Sequence, residues 1–376
     1  MQKHLLFISA NKDWGGSEIL WTEAAKQFAG EGYIISVSTV YEQKMLEGKL
    51  PAVNRIDANN RFIYPHLLVK LFQRLAYKKY RPVDRLTRLL DTQRPDMVVI
   101  SLGTNTGGWN YTAQLVERKI PFVIINQLIT EFFWVFLDTE KIDRLCEMYQ
   151  ASKKNFFVSR HNLELHEKMM GRKFPNNQVI FNPFIKKPSR PLSFPLLKDG
   201  NYHIALVGRL ENFHKGYDLL VEVLKMEKWK QRDIVFTIYG KGPHEALLRS
   251  WIKEYGIPNL YIRSHTDDIA AIWEENQILL MPSRMEGQSL ALIEAMNFKR
   301  PAIVTHVGGT EELIDEGISG FFAAAPTVAS LDDALERAWE KRNCWEEMGM
   351  QAYRNIKRKH PEDAVAYFTE QLKLLI

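Results

Sequence analysis

Long apolar runs are missing from this chain of 376 residues. None approaches the ~20 residues that cross a bilayer as a helix. Leu5-Leu6-Phe7-Ile8 is too short for the apolar part of a secretion signal and reads as a first strand. Cysteine is scarce as well: Cys146 and Cys344 lie far apart and match no metal or redox spacing, as expected of free thiols in a reducing compartment. No Asp-x-Asp occurs, which argues against a diphosphate held to carboxylates through a metal. A G-x-G-x-x-G fingerprint, a Walker loop and a G-x-S-x-G elbow are also absent. The ten histidines form no ligand cluster, and His161 and His166 read as the polar face of a helix.

What is present is the composition of a soluble globular enzyme, 45% apolar and 25% charged. The length exceeds what one hydrophobic core usually serves, so two domains are expected. Charge is uneven. Residues 61–94 hold nine Lys or Arg against Asp84 and Asp91, a surplus of +7 in a chain whose total is +5. The plain reading is a helix with a solvated basic face. The sharper one makes an anionic membrane surface, or an anionic acceptor, the partner of residues 61–94. The expected location is the cytoplasm, with peripheral attachment to the inner face of the cell membrane on that sharper reading; nucleic acid is not among the expected partners.

Apolar, β-prone runs alternate with helical stretches: Leu5–Ser9, Ile34–Val40, Met97–Leu102, Phe122–Ile125, Phe156–Val158 and Val179–Phe181. Four prolines between Pro183 and Pro195 then stop both helix and sheet. The alternation restarts with His203–Val207, Val235–Tyr239, Leu260–Ile262, Ile278–Met281 and Ala302–Thr305. This pattern predicts two α/β domains, each a doubly wound parallel sheet, separated by a cleft. The boundaries are 1–185, a linker at 186–200, 201–358, and a last helix at 359–376 with Pro361, Glu362 and Asp363 in its first turn.

The most informative segment runs from Glu286 to Glu294. Glu286 follows the strand Ile278–Met281, and Glu294 lies inside the otherwise apolar helical run Leu290–Met296. A carboxylate on such a helix is costly to bury unless it is hydrogen-bonded. A strand end feeding a helix start is where open α/β sheets bind ligands. The second domain opens with Gly208 and Arg209, followed by Lys215-Gly216, which places a guanidinium and an ammonium where a diphosphate could be clamped.

Five motifs occur in order: Trp14-Gly15-Gly16-Ser17-Glu18, Gly208-Arg209-Leu210 with Lys215-Gly216, Tyr239-Gly240-Lys241-Gly242-Pro243, Pro282-Ser283-Arg284-Met285-Glu286-Gly287, and Glu286 with Glu294. Together they resemble the family-4 retaining glycosyltransferases of the GT-B fold, over essentially the whole chain. The resemblance implies two Rossmann-like domains facing across a deep cleft, the first on the acceptor side and the second on the donor side. Arg209 and Lys215 would neutralise the diphosphate of a nucleotide-sugar donor. Glu286 would hold hydroxyls of its sugar, and Glu294 the ribose diol. Amides of Gln288, Ser289 and Leu290 would cradle phosphate at a helix start. The Gly15-Gly16 loop would face the phosphates, while Gly240 and His265 would border the base.

Two departures from the family stand out. Gln288-Ser289 replaces the more usual aromatic and glycine, and Asn126-Gln127 replaces a strand end that often carries histidine. An amide cannot act as a general base, so Gln127 would orient substrate while the leaving phosphate takes the acceptor's proton. Glu131 and Trp134 are the candidate acceptor contacts. The implied reaction moves a hexose-type sugar to a glycan or lipid-linked acceptor in bacterial surface polysaccharide assembly, with no metal and no cofactor. The alternatives are a nucleotide-sugar epimerase or phosphorylase, a non-catalytic sugar-nucleotide binder and, more distantly, an NAD-linked oxidoreductase.

Overall fold

The computed structural model describes residues 2–11, 14–39, 50, 54–55, 85–184, 192–197 and 199–376. Of the basic stretch, residues 61–84 lie outside these; Arg85–Gln93 forms a helix. The first sheet holds β1 (His4–Ser9), β2 (Ile34–Thr39), β3 (Asn54–Arg55), β4 (Met97–Leu102), β5 (Phe122–Asn126), β6 (Lys154–Phe157) and β7 (Asn177–Val179). All are parallel, in the order β3-β2-β1-β4-β5-β6-β7. Every residue of β1, β4 and β5 is buried. Their runs are continuously apolar rather than alternating because helices cover both faces of the sheet. Helices α1 (Ile19–Gly30), α2 (Thr139–Ala151) and α3 (Arg160–Met170) supply part of that cover.

The second sheet repeats the plan with β8 (Tyr202–Val207), β9 (Ile234–Tyr239), β10 (Leu260–Arg263), β11 (Ile278–Met281), β12 (Ala302–Thr305) and β13 (Gly320–Ala323), ordered β10-β9-β8-β11-β12-β13. Three of its helices bear on the cleft: α4 (Asn212–Lys215), α5 (Tyr217–Leu224) and α6 (Leu290–Asn297). A last helix, α7 (Ala364–Lys373), returns to the first sheet, where Phe368 and Leu372 join the core beside Leu20, Phe28 and Phe156. Among the described residues no helix is long and apolar enough to cross a membrane.

The structure departs from the sequence reading in three places. Two edge strands were not read from the sequence: β3, only two residues long, and β13, a four-residue run that opens on Gly320. Helix α7 begins at Ala364, not Pro361; Asp363 is its cap, accepting from the Ala366 amide at 2.8 Å. His166 is not on a polar face. It is fully buried on α3, with ring centroids 4.2, 5.0 and 5.7 Å from those of Tyr149, Phe157 and Phe174. Burial pushes its imidazole down to about 3, so it is neutral at physiological pH.

One buried charge ties the incoming chain to the second domain. Arg300 is fully buried and donates to the carbonyls of Asn276 (3.0 Å), Phe298 (2.8 Å), Lys299 (3.3 Å), Ser193 (3.0 Å) and Trp273. Burial pushes it down to about 10, which still leaves it charged at neutral pH. Replacing it orphans several carbonyls at once. Arg300→Ala is expected to lower the stability of this domain by about 3 kcal/mol or more, read as a fall in the urea midpoint at unchanged slope. Arg300→Lys, with three donors and no planar fork, should recover only part of the loss. A midpoint unmoved in both variants would show that the carbonyl set is dispensable.

Candidate active site

Strand order reverses in each sheet between two neighbours, β1 and β4 in the first and β8 and β11 in the second. Ligands of open α/β sheets bind outside the carboxyl ends of the strands at such a reversal. The segments emerging there are the ones that the sequence motifs occupy. From β1 comes the Gly15-Gly16 loop, and from β8 comes Gly208 to Lys215. From β11 come Glu286 to Ser289, which lead into α6.

In the second domain, Glu211 caps α4 by accepting from the amides of Phe213 (2.6 Å) and His214 (3.0 Å). Burial alone would raise its carboxyl; the bonds from His214 and from these amides outweigh that and hold it below the usual range. Helix α4 is one short turn, ended by Gly216 in the left-handed region at φ +64°. A Cβ there would collide with the Pro282 carbonyl, so the turn lies directly on the end of β11. This delivers Lys215 to Glu286: Nζ donates to Oε1 at 2.6 Å, and Ser283 Oγ donates to the same oxygen at 2.8 Å. Glu286 is nearly buried, and the lysine keeps about a quarter of its side-chain exposure, 26%. Arg209 stands exposed on the same β8 loop.

Arg284 was not singled out from the sequence beyond its place in a motif. Its two terminal nitrogens meet the Asp218 carboxylate at 2.7 and 2.6 Å, and one also donates to the Asn212 carbonyl at 3.0 Å. Its amide donates to the His214 carbonyl at 2.7 Å. It therefore clamps α4 to α5, and with it the position of Lys215. Only the fold could show this, because Asp218 and Arg284 are 66 residues apart.

Ser289 precedes α6 without making a side-chain cap, so its hydroxyl does not occupy the first amides of that helix. The Gln288 side chain has protein partners. Its Oε1 accepts from the Asn182 amide at 2.7 Å and its carbonyl from Asn182 Nδ2 at 2.9 Å, which braces the loop against the chain leaving the first domain. Leu290 and half-buried Glu294 lie on α6 itself. A Cβ on Gly16 would lie 2.8 Å from Leu290 Cδ1, so the Gly15-Gly16 loop faces the start of α6 across the cleft. Gly208 and Gly240 lie back to back at the ends of β8 and β9. His265 is exposed after β10, three strands across the sheet from β11 or roughly 14 Å.

The first domain supplies Gln127, which is 5% exposed. Its amide donates to the Leu102 carbonyl at 3.0 Å, and neither polar atom of its side chain has a partner among the described residues. A Cβ on Gly287 would collide with the Gln127 carbonyl oxygen, so glycine is required for the two domains to meet. Glu131 and Trp134 lie on the exposed 3-10 turn Glu131–Phe136, with Lys168 Nζ 5.7 Å from the Trp134 ring centroid. In the same turn Phe132 reaches Phe213 of α4, ring centroids 5.8 Å apart.

Comparison with known proteins agrees with this geometry. The sequence profile of glycosyl transferases group 1 matches residues 192–357. Over 341 residues the chain is 28% identical to an uncharacterised glycosyltransferase of Haemophilus influenzae, covering 89% of this chain and 90% of that protein. It is 23% identical to an amylovoran biosynthesis glycosyltransferase of Erwinia amylovora, covering 84% and 85% of the two chains. A Staphylococcus aureus poly(ribitol-phosphate) alpha-N-acetylglucosaminyltransferase is 25% identical across half of this chain and 38% of its own length. The fold is that of Anabaena HepE solved in complex with UDP, at a TM-score of 0.74 and 15% identity, covering 100% of this chain and 99% of that one. Residues 192–357 of the second domain match glycosyl transferases group 1, and the two sheets form the GT-B fold.

Proposed function

We propose that the protein is a retaining glycosyltransferase that moves a hexose-type sugar from a nucleotide-diphosphate sugar to a glycan or lipid-linked acceptor in surface polysaccharide assembly. The observation that carries this reading is the Lys215–Glu286 pair at the second switch point, 2.6 Å apart beside the open amino end of α6. A leaving group with two phosphates needs positive charge where its own negative charge develops. Lys215, Arg209 and the amides of Gln288, Ser289 and Leu290 supply it without a metal ion or cofactor. Glu286 accepts from the sugar hydroxyls, Glu294 from the ribose diol, and the base lies toward Gly240 and His265. Gly208 lets the diphosphate approach the backbone, and Gly15-Gly16 closes over it from the first domain.

Gln127 orients the reacting groups, and the departing phosphate takes the acceptor's proton. Glu131 and Trp134 border the acceptor's entry. The Erwinia amylovora and Staphylococcus aureus relatives, by their names, support a role in building surface polymers. Such a role fits a protein working at the inner face of the cell membrane, with residues 61–94 as its anionic-lipid contact.

A thermal-shift screen of nucleotide diphosphates and their sugars identifies the donor, since a bound ligand raises apparent stability by mass action. With that donor, Lys215→Ala and Arg209→Ala are each expected to lower kcat/KM by about 10²-fold or more; near-wild-type rates in both would refute the site. NMR of the product should show the anomeric configuration of the donor preserved, and EDTA should leave turnover unchanged. Inversion, or loss of turnover in EDTA, would overturn those parts of the reading.

Gly287→Ala tests the domain contact by itself. The added methyl meets a main-chain oxygen that cannot turn aside, so the cleft should open. A larger radius of gyration by small-angle scattering and a fall in kcat of about 10²-fold are expected, with nucleotide diphosphate still bound. An unchanged radius together with unchanged kcat would show that the contact is not needed for turnover.

A further inference from the structure

We infer that Asn11 determines acceptor specificity, its side-chain carbonyl accepting a hydrogen bond from one hydroxyl of the incoming acceptor. The inference rests on the glycosyltransferase reading above and deepens it.

The position follows from the register of the first sheet. Ser9 of β1 pairs with Ser101 of β4, and the Ala10 amide donates to the Ser101 carbonyl at 3.0 Å. Two residues further, Asn11 and Gly103 stand side by side at the first switch point. On the other side of Gly103 stands Gln127, whose amide bonds to the carbonyl of Leu102. A Cβ on Gly103 would collide with Asn11 Oδ1 and lie 3.3 Å from its Cγ. The Asn11 side chain therefore lies over the Gly103 backbone. The missing side chain makes room for the Asn11 carbonyl, which shares the carboxyl ends of β1, β4 and β5 with Gln127, two strand spacings or roughly 10 Å away.

The orientation follows from Glu18. This carboxylate is fully buried and anchored by α1, with Oε2 accepting from Trp21 Nε1 at 3.0 Å. Its Oε1 accepts from Asn11 Nδ2, which also lies 3.2 Å from Ser17 Oγ. Both Glu18 oxygens act as acceptors, so the end of the Asn11 amide that faces Oε1 is the NH2. The carbonyl end is thereby turned onto Gly103. Asn11 then offers a fixed acceptor. Gln127 offers its amide, buried and without a partner among the described residues. A hydroxyl on a sugar ring satisfies both kinds of group, since it donates and accepts. A site built for a hydroxyl rejects analogues that lack it far more strongly than an apolar pocket could.

The test uses the full-length protein with the donor found by thermal shift and an acceptor panel that includes monodeoxy analogues. Asn11→Ala is expected to raise the acceptor KM about 10- to 100-fold, while the donor dissociation constant by calorimetry stays within about twofold. One monodeoxy acceptor should be poor for the wild type and lose its disadvantage in Asn11→Ala. Glu18→Gln, which frees the Asn11 amide to turn over, should weaken the same discrimination. Gly103→Ala, whose added methyl displaces the Asn11 carbonyl while leaving the residue itself in place, should raise the acceptor KM even if Asn11→Ala proves unstable. An unchanged acceptor KM in both Asn11→Ala and Gly103→Ala overturns the inference, as does a donor dissociation constant rising as much as the acceptor KM. If the wild type itself binds no nucleotide sugar and transfers to no acceptor, the glycosyltransferase reading fails instead.

Discussion

The carbonyl oxygen of Gln127 lies so close to the α-carbon of Gly287 that no side chain fits between them, and the cleft is organised around that contact. Other thin points of approach surround it. The Gly309 amide donates to the Gly287 carbonyl at 2.8 Å, and a Cβ on Gly309 would press on Ser159 Cβ at 2.7 Å. Glu312 accepts from the His161 amide at 3.0 Å, placing a carboxylate at the positive end of α3. The loop that carries Glu286 is therefore held by main chain from both domains. Its carboxylate is aimed by backbone position together with the bonds from Lys215 and Ser283 to Oε1.

Strength is not what the Lys215–Glu286 pair contributes. An exposed ion pair is worth about 0–1 kcal/mol, and partial burial adds a desolvation cost to each partner that the attraction must first offset. What the pair does is locate an ammonium. That location depends on groups away from the charge itself. Arg284 grips Asp218 with two parallel bonds, Glu211 caps the turn, and Phe213 rests on Phe132 of the other domain. Burial alone would raise Asp218, but the hydrogen bond and charge of Arg284 outweigh it and hold the carboxyl below its usual range, so the clamp stays ionised at neutral pH. A lysine that has already given up much of its freedom loses less of it when a diphosphate arrives.

Much of this was legible in the sequence because it is local. A strand buried on both faces is a continuous apolar run, and β1, β4, β5, β8, β9, β11 and β12 all announced themselves that way. Glycines and charges at the ends of those runs marked the loops at both switch points. The parts that were not legible depend on distance along the chain. Asp218 gives no sign in the sequence that Arg284 will reach it. Gln288 stood out only as a departure from the family, and only the path of residues 180–184 past it makes its side chain a brace for Asn182. His166 fits a polar helix face by spacing, yet α2 and β6 bring Tyr149 and Phe157 over it. Asn11 falls two residues past a strand, in no motif, and acquires a neighbour only when β4 is laid beside β1.

The two sheets share one strand order, yet they present opposite chemistry to the cleft. The second offers charge: Lys215, Arg209 and the amino end of α6. The first offers, at the carboxyl ends of β1, β4 and β5, groups that hydrogen-bond but do not readily change protonation: the amides of Asn11 and Gln127. Leaving a buried amide without partners costs about 1–3 kcal/mol for each unmet group. Such a cost is tolerable at a place where a ligand repays it. On the reading proposed above, such groups choose and orient an acceptor but do not activate one. Activation, on that same reading, comes from the other side of the cleft, where stabilising a departing diphosphate would make the sugar electrophilic and leave a phosphate oxygen beside the attacking hydroxyl. On this reading the missing histidine at the end of β5 is no defect, because the step that would need a base has been assigned to the leaving group.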